Sequence, residues 1–170
     1  MTTESVAPEG LHGWAICLRA SEEARRRGDR RYGTDHILLA LLEDPSTEAL
    51  LGVSLEDARR ALDLLDQHAL GVLGLGPGAV APALPMRAVP RKPRLRDMAQ
   101  KDRLRITPAA KRVLEDASKP NRRRLYVTAP QVLAQILTLQ PPDPAAALLE
   151  ALGVHTSEVR RRLDAATPEG

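Results

Sequence analysis

Four histidines, a single cysteine, an adjacent acid–histidine pair and two arginine clusters carry most of the reactive potential of this 170-residue chain. His12, His36, His68 and His155 are scattered without metal-ligand spacing, and Cys17 has no sequence-local partner, so no metal site or other cofactor site is predicted. As a nucleophile, Cys17 would need a neighbouring base and partial exposure; its neighbours Ala15, Ile16 and Leu18 predict buried packing instead. Asp35 and His36 would make an acid–base pair if they met. Successive helical residues point to different faces, so the sequence predicts a structural histidine near a helix cap. Arg25-Arg26-Arg27 with Arg30-Arg31, and Arg122-Arg123-Arg124, sit where cations complement a helix C-terminus, which predicts solvated, dipole-matched turns, with an anion or acidic-partner site as the alternative. Asp35 has two uses as well. It stabilises the positive end of a helix, or it receives a guanidinium or other cation from a partner peptide.

The elements that carry these residues occur twice. Gly52-Val53 followed by Asp57 to Asp63 recurs as Gly153-Val154 followed by Glu158 to Asp164, at an offset of 101 residues. Tyr32-Gly33-Thr34 with Leu39-Ala40 recurs as Tyr126-Val127-Thr128 with Leu133-Ala134, at an offset of 94. Two copies of a small unit with no catalytic cluster in either point to a binding module before an enzyme. The apolar residues are Leu, Ala and Val, with Trp14, Tyr32 and Tyr126 as the aromatics and no Phe, which predicts an aliphatic, helical core.

In the first copy, helical spacing runs from Leu11 to Arg27. Thr34 then caps a second helix buried nearly all round, Thr47 to Leu51 forms a third, and Ser54 caps an amphipathic fourth from Leu55 to about Leu70. In the second copy, the helices are Ala109 to Ser118, Thr128 through Leu139, Pro144 to Leu152, and Thr156 or Ser157 to about Ala166. The resulting division is a tail at 1–10, one repeat at 11–70, a linker at 71–105, a second repeat at 106–166 and a tail at 167–170. The linker opens rich in Gly and Pro. It then turns basic: eight cations face Asp97 and Asp102, a net of +6 in a chain whose total is +3. Such a segment is a solvated linker or a nucleic-acid or acidic-protein contact.

No G-x-x-x-x-G-K-[ST] is present, and the glycine-rich stretch from Gly71 to Ala81 has no Lys to reach a phosphate, which excludes ATP hydrolysis by this chain. Met1-Thr2-Thr3-Glu4-Ser5 lacks the basic start and apolar run of a secretion signal. The Gly and Pro content of residues 69–86 rules out a membrane-spanning helix there. With one unpaired cysteine, these features predict a cytoplasmic protein.

Tyr32 to Leu42, with the run Gly33-Thr34-Asp35-His36-Ile37-Leu38-Leu39-Ala40-Leu41, resembles the G-T-E-H-[IL]-L-L-[AG]-L helix start of Clp-family chaperone N-terminal domains, particularly the ClpC type. Thr107-Pro108-Ala109-Ala110-Lys111-Arg112-Val113-Leu114-Glu115 is similar to the family's T-P-x-A-K-x-V-[IL]-E opening, and both copies keep the late Gly-Val turn. The likeness spans roughly Leu11 to Ala165 apart from the linker. It implies an all-α fold of two pseudo-symmetric four-helix repeats packed as one domain, here standing alone without ATPase modules.

The resemblance further implies a non-catalytic protein- or peptide-binding module, acting as an accessory, adaptor-like or decoy factor in ATP-dependent Clp proteolysis. Its partners would be Clp substrates, adaptors or unfoldase components. In the ClpC family the acidic helix-start residues are implicated in reading phosphorylated arginine, which makes Asp35, with Thr34 and Tyr32 beside it, the candidate peptide-binding site. Asp35 is one methylene shorter than the family's Glu. In the second copy Val127, Ala129 and Pro130 stand for the family's Gly, Glu and His, so the acid is lost there. Family members are also targets of cyclic peptide antibiotics through contacts that rely partly on Phe, which this chain lacks. The rival expectation is a basic helical regulator that uses the linker and arginine runs on nucleic acid. No recognition helix stands out, and the linker offers no aromatic for stacking.

Overall fold

The structure is a computed structural model that describes residues 13–74, 104–119 and 127–166. Both tails, most of the basic linker, Arg122-Arg123-Arg124 and Tyr126 lie outside the described residues. Eight helices are described, in chain order α1 (Gly13–Arg27), α2 (Thr34–Leu41), α3 (Pro45–Leu51), α4 (Leu55–Val72), α5 (Pro108–Ser118), α6 (Ala129–Ile136), α7 (Pro144–Ala151) and α8 (Thr156–Ala166). Two short strands, β1 (Arg31–Tyr32) and β2 (Arg105–Ile106), precede α2 and α5.

Local chemistry sets most boundaries. Asp44, Ser54, Thr107 and Asp143 each sit in extended backbone, and their side-chain oxygens accept from N–H groups of the first turns of α3, α4, α5 and α7. Proline follows three of these caps at the first helical position, where a missing N–H costs nothing. The third helix of each repeat gives way to a glycine at positive φ, Gly52 at 70° and Gly153 at 67°, a conformation other residues resist. The helix after Thr128 stops at Ile136 rather than at Leu139. Thr138 and Leu139 donate to Gln135 and Ile136 at 3.1 and 3.0 Å, so the last turn tightens to i→i+3 bonding.

The repeats pack across a pseudo-twofold. The fourth helix of each rests on the third of the other, α4 on α7 and α8 on α3. The two Gly-Val turns, Gly52-Val53 and Gly153-Val154, line one small cleft between them. The segments before the helices also exchange. Thr107 N–H donates to Tyr32 C=O at 3.0 Å beside a parallel pairing of β1 with β2, and Gly13 N–H donates to Val127 C=O at 2.7 Å in the matching place. Two-residue strands leave no periodic signal, and the sequence did not predict them.

Helix α2 lies at the centre. Ile37 to Leu42 are all at most 1% exposed, and α2 packs against α1 and α4 of its own repeat and α5, α6 and α7 of the other. In α6 the matching buried residues are Val132, Leu133, Ile136 and Leu137. They align with Ile37, Leu38, Leu41 and Leu42 at an offset of 95, one more than the sequence spacing predicts. Thr128, Ala129, Pro130 and Gln131 therefore stand for Gly33, Thr34, Asp35 and His36, and Pro130 replaces the acid itself.

Ion pairs brace the first repeat. Glu23, only 4% exposed, accepts from Arg26 at 3.0 Å and from Arg59 on α4 at 3.2 Å. Burial alone would raise this carboxyl, but the bonds from Arg59 and Arg26 hold it below its ordinary range. Arg27 corrects the expectation of a solvated arginine run. Its side chain is only 11% exposed and reaches Asp63 at 2.7 Å, Asp29 at 3.5 Å and also Asp66, so it clamps the end of α1 onto α4.

Because α2 belongs to both halves of the core, urea should unfold the described repeats in one transition seen alike by circular dichroism and Trp14 fluorescence. Leu38→Ala should lower its stability by about 2–5 kcal/mol. Two separate transitions, only one of them moved by Leu38→Ala, would contradict a shared core.

Candidate functional site

The start of α2 forms one wall of a groove of about 720 Å³ between the repeats, closed on the other sides by α4 and by the first turns of α5 and α7. Gly33 is the N-cap, in extended backbone at φ −108° and ψ −169°. This corrects the expectation that the Thr34 hydroxyl caps the helix. Thr34 lies inside the first turn, 1% exposed, and its hydroxyl donates to Asp143 Oδ1 at 2.7 Å. The same oxygen accepts from Ala145 N–H at 2.9 Å. One carboxylate of the second repeat thus caps α7 and pins the start of α2.

The cap of α2 comes from His36, whose Nδ1 is 3.1 Å from Gly33 N–H. In α6, Gln131 Oε1 accepts from Thr128 N–H at 3.0 Å, so the third helical residue reaches back to the cap in both repeats. His36 Nδ1 is also 3.1 Å from Asp35 Oδ1, and Nε2 is 3.1 Å from Asp29 Oδ2. The structure therefore brings Asp35 and His36 together, against the sequence expectation that neighbours on a helix diverge. The Asp35 carboxylate folds back over the helix start, toward Gly33 and the His36 ring. A side chain at residue 33 would place its Cβ 2.5 Å from Asp35 Oδ1, which explains glycine at a position whose φ any residue adopts.

Electrostatics follow from this crowding. Burial pushes the Asp35 carboxyl upward, yet the hydrogen bond and charge of His36 with the backbone bonds outweigh it and hold it below its ordinary range. Burial pulls His36 down, yet Asp35 and then Asp29 outweigh it and raise it above its ordinary 6.5. Asp35 lines the groove with 13% of its side-chain surface exposed. Arg31 and His68 line the same groove and are exposed. The arrangement offers an ionised carboxylate inside the groove and the exposed Arg31 guanidinium at its edge.

Of the three predicted peptide-binding residues, Thr34 and Asp35 meet at this groove and Tyr32 does not. Tyr32 is buried beside Cys17 and lines a second groove of about 550 Å³ with Trp14, Leu18 and Leu104. Burial, followed by the charge and hydrogen bond of Cys17, pushes the Tyr32 phenol upward. Burial also raises the Cys17 thiol, with the Tyr32 hydrogen bond acting against it, the opposite of an activated thiolate. Asp29 and Asp143 did not enter the sequence reading, and Arg27 entered it only as one cation of an arginine run. The Asp-Pro pair at 143–144, a cap before a first-turn proline, was the available sign for Asp143.

The family model of the Clp repeat (R) N-terminal domain matches residues 14–138, so the chain belongs to this family and is a Clp chaperone-associated domain. Among curated relatives, it is 30% identical over 156 residues to chaperone protein ClpC2, chloroplastic, of Oryza sativa subsp. japonica. It is equally similar to the ATP-dependent Clp protease ATP-binding subunit ClpA homolog, chloroplastic, of Brassica napus. Each match covers 87% of this chain, which spans only 14% of the relative's length. The crystal structure of the N-terminal domain of the caseinolytic protease associated chaperone ClpD from Arabidopsis thaliana superposes with a TM-score of 0.58 at 19% identity, covering 96% of this chain and 98% of that one. The all-α double-repeat fold is thus that of a Clp N-terminal domain. No helix among the described residues is long and apolar enough to cross a membrane.

Replacing the Thr34 hydroxyl by a methyl leaves Asp143 one donor short at a partly buried position. Thr34→Val should lower stability by about 1–3 kcal/mol. Asp143→Ala should cost a similar amount, and the double variant less than the sum of the two. Additive losses in thermal or urea melts would show that the hydroxyl and the carboxylate do not depend on each other.

Proposed function

We propose that this chain is a non-catalytic peptide-binding module whose inter-repeat groove takes a cationic side chain, arginine or its N-phosphorylated form, against Asp35. The observation that carries the reading is an ionised carboxylate held within a groove whose rim carries Arg31 and His68. A guanidinium would bond to Asp35, and a phosphate on it would meet Arg31 at the rim. Asp35 and Thr34 are then the binding and positioning residues, and Tyr32 supports the strand behind them. Membership in the Clp N-terminal domain family supports a role as accessory, adaptor-like or decoy factor in Clp proteolysis, acting in the cytoplasm on Clp substrates, adaptors or unfoldase components. A cyclic peptide is a further candidate occupant of the family surface.

Pro130 occupies the register of Asp35 in the second repeat and offers neither carboxylate nor N–H. The proposal therefore includes one guanidinium site per chain. Calorimetry with a short peptide carrying a single phosphoarginine should give one-to-one binding, weakened roughly tenfold or more by Asp35→Asn, with the arginine form weaker and an alanine control silent. Unaltered affinity in Asp35→Asn, or two equivalent sites, would overturn the assignment. Recovery of Clp components from host extract by the wild type, lost in Asp35→Asn, would extend it to physiological partners.

A further inference from the structure

His36 Nδ1 faces two partners with opposite demands. Gly33 N–H at 3.1 Å needs a lone pair there, while Asp35 Oδ1, also at 3.1 Å, needs a proton. Nε2 donates to Asp29 in either case. The ring therefore has two bonding states at one geometry. Neutral, it caps α2 through Gly33 and leaves Asp35 without a donor from the ring. Protonated, it gives Nδ1–H to Asp35 and strands a buried Gly33 N–H.

We infer that His36 is a positioning residue that decides whether Asp35 is available to a cationic ligand, releasing the carboxylate to the groove when neutral and holding it as its own counter-ion when protonated. The inference rests on the guanidinium reading of the groove. The charged and titratable groups facing His36 among the described residues are few. Asp35 lies on its own helix, and Asp29 lies in the turn after α1, tied to Arg27. Arg31 leads into α2, and Asp66, itself held by Arg27, and His68 come from α4. From α5 and α7 the groove receives Thr107, Ala109, Pro144 and Ala147, none of them ionisable.

Two carboxylates against one ring favour the imidazolium, in line with its raised pKa. The ion-paired state is fully formed below the ordinary value of 6.5 and is lost as pH rises through the higher folded value, so cation binding strengthens in that same upward window. Repeat 2 supplies the control. Gln131 makes the same capping bond and does not titrate, so His36→Gln keeps the cap and removes the proton.

The test has two parts. In the free protein, the Gly33 amide resonance should titrate together with the His36 ring, at a midpoint above 6.5, and should be static in His36→Gln. An acetylated and amidated peptide with one arginine, whose charge is constant over the range, should bind wild type roughly tenfold more weakly at about pH 5 than at about pH 8. His36→Gln should bind it equally at both, and His155→Gln, in the separate cleft of the Gly-Val turns, should behave as wild type. A Gly33 amide indifferent to pH, or the same binding profile in wild type and His36→Gln, would overturn the inference. A titrating Gly33 amide with no peptide bound at any pH would support the proton hand-over and refute the guanidinium reading instead.

Discussion

A helix buried on every face cannot leave its first N–H groups to water, and α2 is such a helix. Its residues from Ile37 to Leu42 are sealed by both repeats, so the donors at its start must be answered by the protein. Gly33 N–H goes to the His36 ring, and the Asp35 carboxylate lies against the same ring at the positive end of the helix. Thr34 turns its hydroxyl outward to Asp143 of the second repeat. The core can be continuous across the pseudo-twofold only because these bonds close the end of its central helix.

That closure assembles the charges of the groove. Asp35 folds back toward the helix start, which places it against His36 and leaves no room for a Cβ at residue 33 unless the carboxylate moves. His36, turned toward Gly33, presents its far nitrogen to Asp29, and Asp29 is shared with Arg27. Arg27 then carries the chain of contacts to Asp63 and Asp66 on α4. Bonds made for folding thus run without a break from the middle of the core to the rim. The repeats meet at that rim through Thr34 and Asp143, so a ligand seated there would touch both.

The duplication, the helix order and the buried character of α2 were legible in the sequence because they rest on local signals: capping residues, prolines at first helical positions and apolar runs. Asp35 and Thr34 as a candidate site were legible through the family motif. Three features were not. The direction of Asp35 depends on a glycine two residues earlier leaving room for it, which helical geometry for neighbouring side chains does not encode. Arg27 reads as one cation in a solvated run until α4 brings Asp63 and Asp66 to it. Asp143 is 109 residues from Thr34, and no spacing rule spans that distance. Tyr32 was grouped with Thr34 by adjacency alone. Tyr32 ends β1 whereas Thr34 is already in the first turn of α2, so no strand alternation relates the two, and the Tyr32 ring goes to the Cys17 side.

The one-residue difference in register between the repeats bears on what the charge is for. Repeat 2 starts α6 with Thr128 and Gln131, where the neutral Gln131 side chain makes the same bond back to the cap N–H, and places Pro130 where a missing N–H needs no acceptor. Its helix is buried against the same core and begins without an ionisable group. Repeat 1 solves the equivalent problem with Asp35, His36 and Asp29, a charged arrangement that carries desolvation costs a neutral cap avoids. Starting a buried helix in this fold therefore does not require those charges. On the reading proposed above, their presence at the groove serves an ionic ligand, because the neutral start of α6 shows that the equivalent helix begins without them.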